Sequence, residues 1–230
     1  MARKVAPVFP GREKRSQHAA AASWAAIGAD TSMTACSVVL VGFDAILDKM
    51  VGPFYAETRW TPEDDYFKRL AEAADPSLLH SVLAKVHVVN MDRIFIAIEE
   101  PWYYGATKDQ KSAWLKQQAE VCGAFKGGLA RWGYQNIYEI NNSQWRATLR
   151  RDGVEFVKGK ESKWQVKEWA INAFGLPDLP DLVKSKSGAK IPRPESGYGA
   201  KAKAVQPNDI YDAAACCAWM NDEIEKLGLV

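Results

Sequence analysis

A chain of 230 residues, 47% hydrophobic and 25% charged, can bury one good core, so a single domain with decorations is expected rather than two full domains. The formal net charge of +2 is too small to argue for nucleic acid by itself, because such binding depends on local patches of Lys and Arg. No apolar stretch approaches the length of a membrane span and the N-terminus has no apolar signal core, which argues against membrane-spanning and secreted classes.

Residues 1–22 carry Arg3, Lys4, Arg12, Lys14 and Arg15 against only Glu13. A flexible basic arm is the preferred reading, with a weak organelle transit peptide as the alternative. Trp24 to Asp30 then reads as a buried strand ending in an acid, followed by a Thr31-Ser32-Met33-Thr34 turn. Ala35 to Val41 returns as its antiparallel hairpin partner. Between Pro62 and Lys85, Tyr66, Leu70, Leu78 and Val82 follow helical spacing, broken at Asp75-Pro76.

Ile94 to Ile98 is a continuous apolar run of strand length that stops at Glu99-Glu100-Pro101, as a central strand buried on both faces should. Lys108 to Trp132 is compatible with a long helix, with an interruption expected at Gly127-Gly128. Ile137 to Ile140 reads as a short strand, and Lys163 to Phe174 as a helix stopped by Gly175 and Pro177. From Asp178 to Gln206 the chain turns rich in Pro, Gly, Ser and Lys, the composition of a mobile loop. Asn208 to Leu227 closes the pattern with a helix whose N-cap falls at Asn208 or Asp209. A hairpin followed by alternating helices and strands gives an α/β fold with a mixed sheet.

The cysteines Cys36, Cys122, Cys216 and Cys217 show no metal-ligand spacing, and the adjacent last pair does not suit a disulfide scaffold. A reducing compartment fits them best.

Four carboxylates, Asp30, Glu99, Asp209 and Asp212, sit where a strand ends or the terminal helix begins. The last two are three apart and share one helical face. Phosphodiester hydrolysis by two metals needs such a cluster, because magnesium prefers oxygen ligands and keeps some of its waters for chemistry. Each acid also has a plainer reading. Asp30 could cap its turn, and Asp209 and Asp212 could complement the helix dipole. Glu99 closes a buried strand, where α/β sheets place their sites, with Glu100 as its rival because strand alternation lets only one face the site.

The run Ile27-Gly28-Ala29-Asp30-Thr31-Ser32-Met33-Thr34 resembles the first-strand motif of RuvC-like Holliday junction resolvases. Ala97-Ile98-Glu99-Glu100-Pro101-Trp102 is similar to their second motif, and Asp209-Ile210-Tyr211-Asp212-Ala213-Ala214 to their terminal Asp-x-x-Asp-Ala helix. Gln144 to Leu149 and Lys163 to Lys167 resemble the two segments that each bring a basic residue to the scissile phosphate. Arg146 stands where the best-known bacterial members carry lysine, and 178–206 is longer than the usual link.

This resemblance implies an RNase H-like nuclease domain over 23–230, with a basic loop at about 178–207. It implies two Mg2+ ions, for which Mn2+ would substitute, held by Asp30, Glu99, Asp212 and, in an assisting role, Asp209. Lys163 would stabilise the phosphorane charge or orient the water, with Lys158, Lys160 and Lys167 close enough in sequence to replace it. Arg146 would grip a phosphate bidentately. Trp102 and Tyr103 match the place where the family puts an aromatic against unstacked bases. Lys184, Lys186, Lys190, Arg193, Lys201 and Lys203, against the single acid Glu195, would track phosphates.

The implied activity is structure-selective cleavage of four-way DNA junctions by paired symmetric nicks. A homodimer would match the two-fold substrate, in the cytoplasm of a bacterial or phage-infected cell. The stripe Trp114, Leu115, Ala119, Cys122 and Phe125 would serve a dimer seam or packing onto the sheet equally. The alternatives are a nuclease of the same fold for flaps, forks or other branched DNA, and a DNA-binding module that has lost the chemistry.

Overall fold

The computed structural model describes residues 20–60, 64–88, 90–101, 111–157, 161–186, 190–196 and 200–228. Its strands and helices run in the order β1 (Ala20–Ala22), β2 (Trp24–Thr31), β3 (Ala35–Asp44), β4 (Lys49–Arg59), α1 (Tyr66–Ala74), α2 (Ser77–Leu83), β5 (Val86–Val88), β6 (Ile94–Glu99), α3 (Lys111–Arg131), β7 (Asn136–Ile140), α4 (Asn142–Arg151), α5 (Glu161–Asn172), β8 (Leu182–Lys184), β9 (Lys190–Pro192) and α6 (Ile210–Lys226). The five-stranded sheet has the order β4-β3-β2-β6-β7. Its first three strands are antiparallel neighbours, while β6 and β7 run parallel to β2 and to each other.

Strand alternation sorts the side chains of the sheet into two cores. Ala25, Ile27 and Ala29 of β2 join Val38 and Leu40 of β3 and Ile94, Ile96 and Ile98 of β6 beneath α1, α2 and α3. Trp24 and Ala26 join Val39, Val41, Phe95 and Ala97 on the other face, beneath α4, α5 and α6. β6 is therefore apolar on both faces, as its unbroken apolar run from Ile94 to Ile98 requires.

Helix α6 presses on β2 at one point with no side chain between. A Cβ on Gly28 would lie 2.0 Å from the Ala213 carbonyl oxygen and 2.2 Å from the Cys217 amide nitrogen. Only glycine permits backbone and backbone to meet at that distance. The Cys217 thiol adds a hydrogen bond to the Ala26 carbonyl oxygen at 3.3 Å. Because residue 30 lies two along from Gly28 on the same face, this contact sets the start of α6 over the end of β2.

Several elements differ from the sequence reading. Strand β4 follows the predicted hairpin and was not expected, because Gly52-Pro53 interrupts it; as an edge strand it tolerates a residue with no N–H to donate. Helix α3 continues through Gly127-Gly128 without a break. A Cβ on Gly128 would lie 2.2 Å from the Ala74 carbonyl oxygen, so that glycine allows α1 to approach rather than breaking the helix. Cys122 and Phe125 of the same helix are buried in the core, so this part of the proposed stripe packs onto the sheet.

The segment 178–206 holds the β8–β9 hairpin, anchored by the fully buried Leu182 and Val183. The basic arm lies outside the described residues except at its end, where Ala20–Ala22 pairs in parallel with β5. None of the described helices is long and apolar enough to cross a membrane.

Substituting Gly28 tests the close approach directly. Gly28→Ala forces α6 off β2 and is expected to cost about 3 kcal/mol, which at this length lowers Tm by roughly 6–12 °C. Thermal unfolding followed by circular dichroism reads this, and an unchanged Tm would contradict the packing described.

Candidate active site

The register of the sheet lines up a row of polar residues on the α6 side. Asp30 faces Ser37 across β2 and β3, and Ser37 faces Glu57 across β3 and β4. On the other flank Ala29 pairs with Ile98, so Asp30 comes level with Glu99, the last residue of β6. All four lie where apolar strands run out.

Local chemistry leaves these carboxylates unspent. Ser32, not Asp30, closes the turn after β2, accepting from the Thr34 and Ala35 amides at 3.3 and 3.0 Å. At the start of α6 the Asn208 side chain accepts from the Ile210 amide at 3.1 Å, while the Asp209 carboxylate makes no cap hydrogen bond. The turn-capping reading of Asp30 therefore fails, while Asp209 at the N-cap and Asp212 in the first turn still lie where a helix dipole favours acids. Asp212, one turn into the helix, is nearly as buried as Asp209.

Asp30, Asp209 and Asp212 each offer one carboxylate oxygen, and the three oxygens lie within 4.8 Å of one another. Burial raises the Asp30 carboxyl well above its ordinary range, and Glu99, Asp209 and Asp212 push it further in the same direction. Glu99 lies beside this triad. Its pKa is pushed up to about 7, first by burial and then by the charge of Asp212, with Lys163 opposing. Glu100 is exposed, which decides between the rivals at this position in favour of Glu99 as the group facing the cluster. Buried acids that raise one another's pKa concentrate at functional sites.

Lys163, in the first turn of α5, donates to Asp212 Oδ2 at 2.6 Å and stands 3.9 Å from Asp209 Oδ1. The charge of Asp212 raises the Lys163 ammonium well above its usual range, so it stays protonated beside the cluster. Arg146 sits on α4, whose start is fixed by an Asn141–Gln144 capping box. Its guanidinium lies over the rings of Trp145 and Phe156 at 5.2 and 5.3 Å, and its Nε has no hydrogen-bond partner among the described residues. The Trp145 indole lies beside Glu99 and helps hold its pKa down, without closing a hydrogen bond of normal geometry.

Other sequence-predicted residues fall elsewhere. Lys167 is drawn into ion pairs with Asp178 and Asp181 at 2.7 and 2.8 Å and is only 14% exposed, so it pins that segment to α5. Lys184, Lys186, Lys190, Arg193, Lys201 and Lys203 are exposed on and around the β8–β9 hairpin. Trp102, Tyr103, Lys158 and Lys160 lie outside the described residues.

The structure also places residues at the site that the sequence reading passed over. Arg59 Nη2 donates to Asp209 Oδ2 at 3.1 Å, and Gln206 Nε2 donates to Asp209 Oδ1 at 2.9 Å. Glu57 holds Arg59 from behind. The one sequence signal for them is the two-residue spacing of Glu57 and Arg59, which puts both on one face of β4.

RuvC of Thermus thermophilus matches this chain with a TM-score of 0.53 at 15% identity, covering 89% of this chain and 96% of that one. RuvC from the same source in complex with a Holliday junction substrate matches with a TM-score of 0.50 at 16% identity, over the same shares of the two chains. The fold is RuvC-like. It is the RNase H-like arrangement that the motif resemblance implied, and the RuvC-like sheet carries the acid row at the ends of its middle strands. No protein-family model and no curated protein sequence matches the chain. All four cysteines are buried and free of disulfides.

The raised Glu99 pKa carries a sign that can be checked. Between the unfolded value of about 4.3 and the native value of about 7, the folded metal-free protein binds a proton that the unfolded chain releases. Stability therefore falls as pH rises through that window. Glu99→Gln is expected to raise the Tm of metal-free protein at pH 8 by about 3 °C or more, with the difference closing at pH 5. Melting curves in chelator at the two pH values test this, and a wild type that outlasts the variant at pH 8 contradicts it.

Proposed function

We propose that this chain is a divalent-metal-dependent endonuclease that resolves four-way DNA junctions. The observation that carries the reading is the convergence of Asp30, Asp209 and Asp212 to within 4.8 Å on a RuvC-like sheet. The donor set is all oxygen, partly or fully buried, and short of positive charge, which fits Mg2+ with Mn2+ as a substitute and does not fit a softer metal.

Asp30 has the central position and would hold the ions together with Glu99 and Asp212, with Asp209 assisting. Two cations so held would supply a nucleophilic water and charge for the departing 3′ oxygen, and the product would keep a 5′ phosphate. Lys163, protonated and tethered to Asp212, stands ready to offset charge on the phosphorane. Arg146, over the rings of Trp145 and Phe156, would offer its fork to a neighbouring phosphate.

In this reading residues 23–230 work as one nuclease domain. The exposed cations around β8 and β9 would follow the DNA backbone, while Lys160, Trp102 and Tyr103, outside the described residues, keep the DNA-contact roles that the motif resemblance gives them. Lys167 is left out of the DNA contact and serves as an anchor for 178–181. A homodimer would present two such sites to the two equivalent strands of a junction and make paired nicks. RuvC has been captured with a Holliday junction substrate, and the shared fold is what brings that substrate class to this chain. Flaps and forks are the competing substrates, and a non-catalytic DNA-binding module would have little reason to keep acids so costly to bury.

The decisive variant is Asp30→Asn. It is expected to lower Mg2+-dependent cleavage of a synthetic four-way junction by at least about a thousandfold, a loss of about 4 kcal/mol of barrier lowering, while junction binding in Ca2+ stays equal or tightens. Cleavage rates on junction, flap and linear duplex, with binding followed by gel shift, give both readouts. Normal cutting by the variant, or wild-type protein that cuts none of these substrates, would falsify the reading.

A further inference from the structure

Asp209 is gripped on both of its oxygens by groups from outside its own helix. Arg59 Nη2 reaches Oδ2 at 3.1 Å and Gln206 Nε2 reaches Oδ1 at 2.9 Å. Since Asn208 takes the capping role beside it, these two donors decide how the Asp209 carboxylate is turned. Of the two, Gln206 hangs from the segment before α6, while Arg59 is built into the sheet.

Arg59 is fixed in plane. Its Nε and Nη2 fork onto the two oxygens of Glu57 at 2.6 and 2.8 Å. Glu57 in turn accepts from the Ser37 hydroxyl at 2.8 Å. Ser37 is the cross-strand partner of Asp30, so a continuous row runs from one metal-ligand candidate through Ser37, Glu57 and Arg59 to another. The guanidinium side chain is 15% exposed, and its Nη1 is buried without a hydrogen-bond partner among the described residues. Burial raises the Glu57 carboxyl, and Arg59 is the largest influence holding it down.

We propose that Arg59 is a positioning residue of the metal centre, locked by Glu57 so that it presents Asp209 to the cation in one orientation. This rests on the nuclease reading of the acid cluster. A lysine would neutralise Asp209 equally well, but a single ammonium lacks the planar fork that closes on Glu57 and faces Asp209 at once. The same charge lets a further carboxylate enter the cluster, because it offsets the repulsion that Asp209 adds to Asp30. Hydrogen bonds of this kind to a ligating carboxylate set its orientation and basicity, and their loss costs about 10 to 100-fold in metal affinity or activity.

The test is Mn2+ binding to the full-length, DNA-free protein, followed by electron paramagnetic resonance of the free ion. Arg59→Ala is expected to weaken Mn2+ binding by about 10 to 100-fold, with Arg59→Lys intermediate between it and wild type. Glu57→Gln keeps the charge of Arg59 but loosens its anchor, and is expected to weaken binding by about threefold or more. In cleavage assays the Mg2+ concentration for half-maximal rate shifts by the same factor, while the rate at saturating Mg2+ is largely recovered.

Unchanged Mn2+ affinity in folded Arg59→Ala overturns the proposal. If that variant does not fold, unchanged affinity in both Arg59→Lys and Glu57→Gln overturns it. Wild type that binds Mn2+ yet cuts no branched DNA overturns the nuclease reading and leaves the effect of Arg59 on affinity legible; wild type that binds no Mn2+ overturns both.

Discussion

Helix α6 meets strand β2 backbone to backbone at Gly28, and the geometry of the acid cluster follows from that contact. Ala213 and Cys217 can lie against β2 only because position 28 carries no side chain. Moving back along the helix from Ala213 reaches Asp212 and then Asp209; moving forward along the strand from Gly28 reaches Asp30 on the same face. The three oxygens within 4.8 Å are the result of those two short walks from a shared point. A bulkier residue at 28 would move two acids away from the third while leaving every acid in the sequence.

Bringing the acids together works against stability, because like charges in a poorly solvated place raise one another's pKa. The protein answers from two sides. Lys163 approaches from α5 onto Asp212, and Arg59 from β4 onto Asp209. Asp30, at the middle of the row, has burial and three carboxylates raising its pKa and only the charge of Lys163 opposing them. That imbalance marks the position with most to gain from a divalent cation. The cations on the flanks and the deficit at the centre form one electrostatic design in which Lys163 and Arg59 hold the outer acids in place.

The acids at strand and helix ends were legible because their surroundings change abruptly. An apolar run that stops at Asp30 or Glu99 brings an acid to the carboxyl end of a buried strand, where α/β sheets place their sites, and Asp209 and Asp212 share a helical face by spacing alone. The mixed sheet followed from a hairpin and then alternating helices and strands. Glu57 and Arg59 were illegible for the opposite reason. They lie in an edge strand broken by Gly52-Pro53, where alternating charged residues look like a solvated face, and the residue that Arg59 serves is 150 positions away.

Glycines misled where their role depended on a neighbour. Gly127-Gly128 has the composition of a helix break, yet Gly128 gives way to the Ala74 carbonyl of α1 inside an unbroken helix. In 178–206 the abundance of Pro, Gly and Lys hid Leu182 and Val183, whose burial organises a small hairpin. Lys167 looked like one more basic residue near a phosphate, and only the fold brings Asp178 and Asp181 to it. Composition reports the average of a segment, whereas these roles belong to single side chains.

In the proposed reading, packing at Gly28 builds a divalent-cation site from Asp30, Asp209 and Asp212. The most direct measurement is the anomalous scattering of Mn2+ in crystals of the DNA-free protein. A peak touching Asp30 and Asp212 at about 2.0–2.3 Å from their oxygens is expected. A fully occupied peak elsewhere on the molecule, with none at these carboxylates, would contradict it.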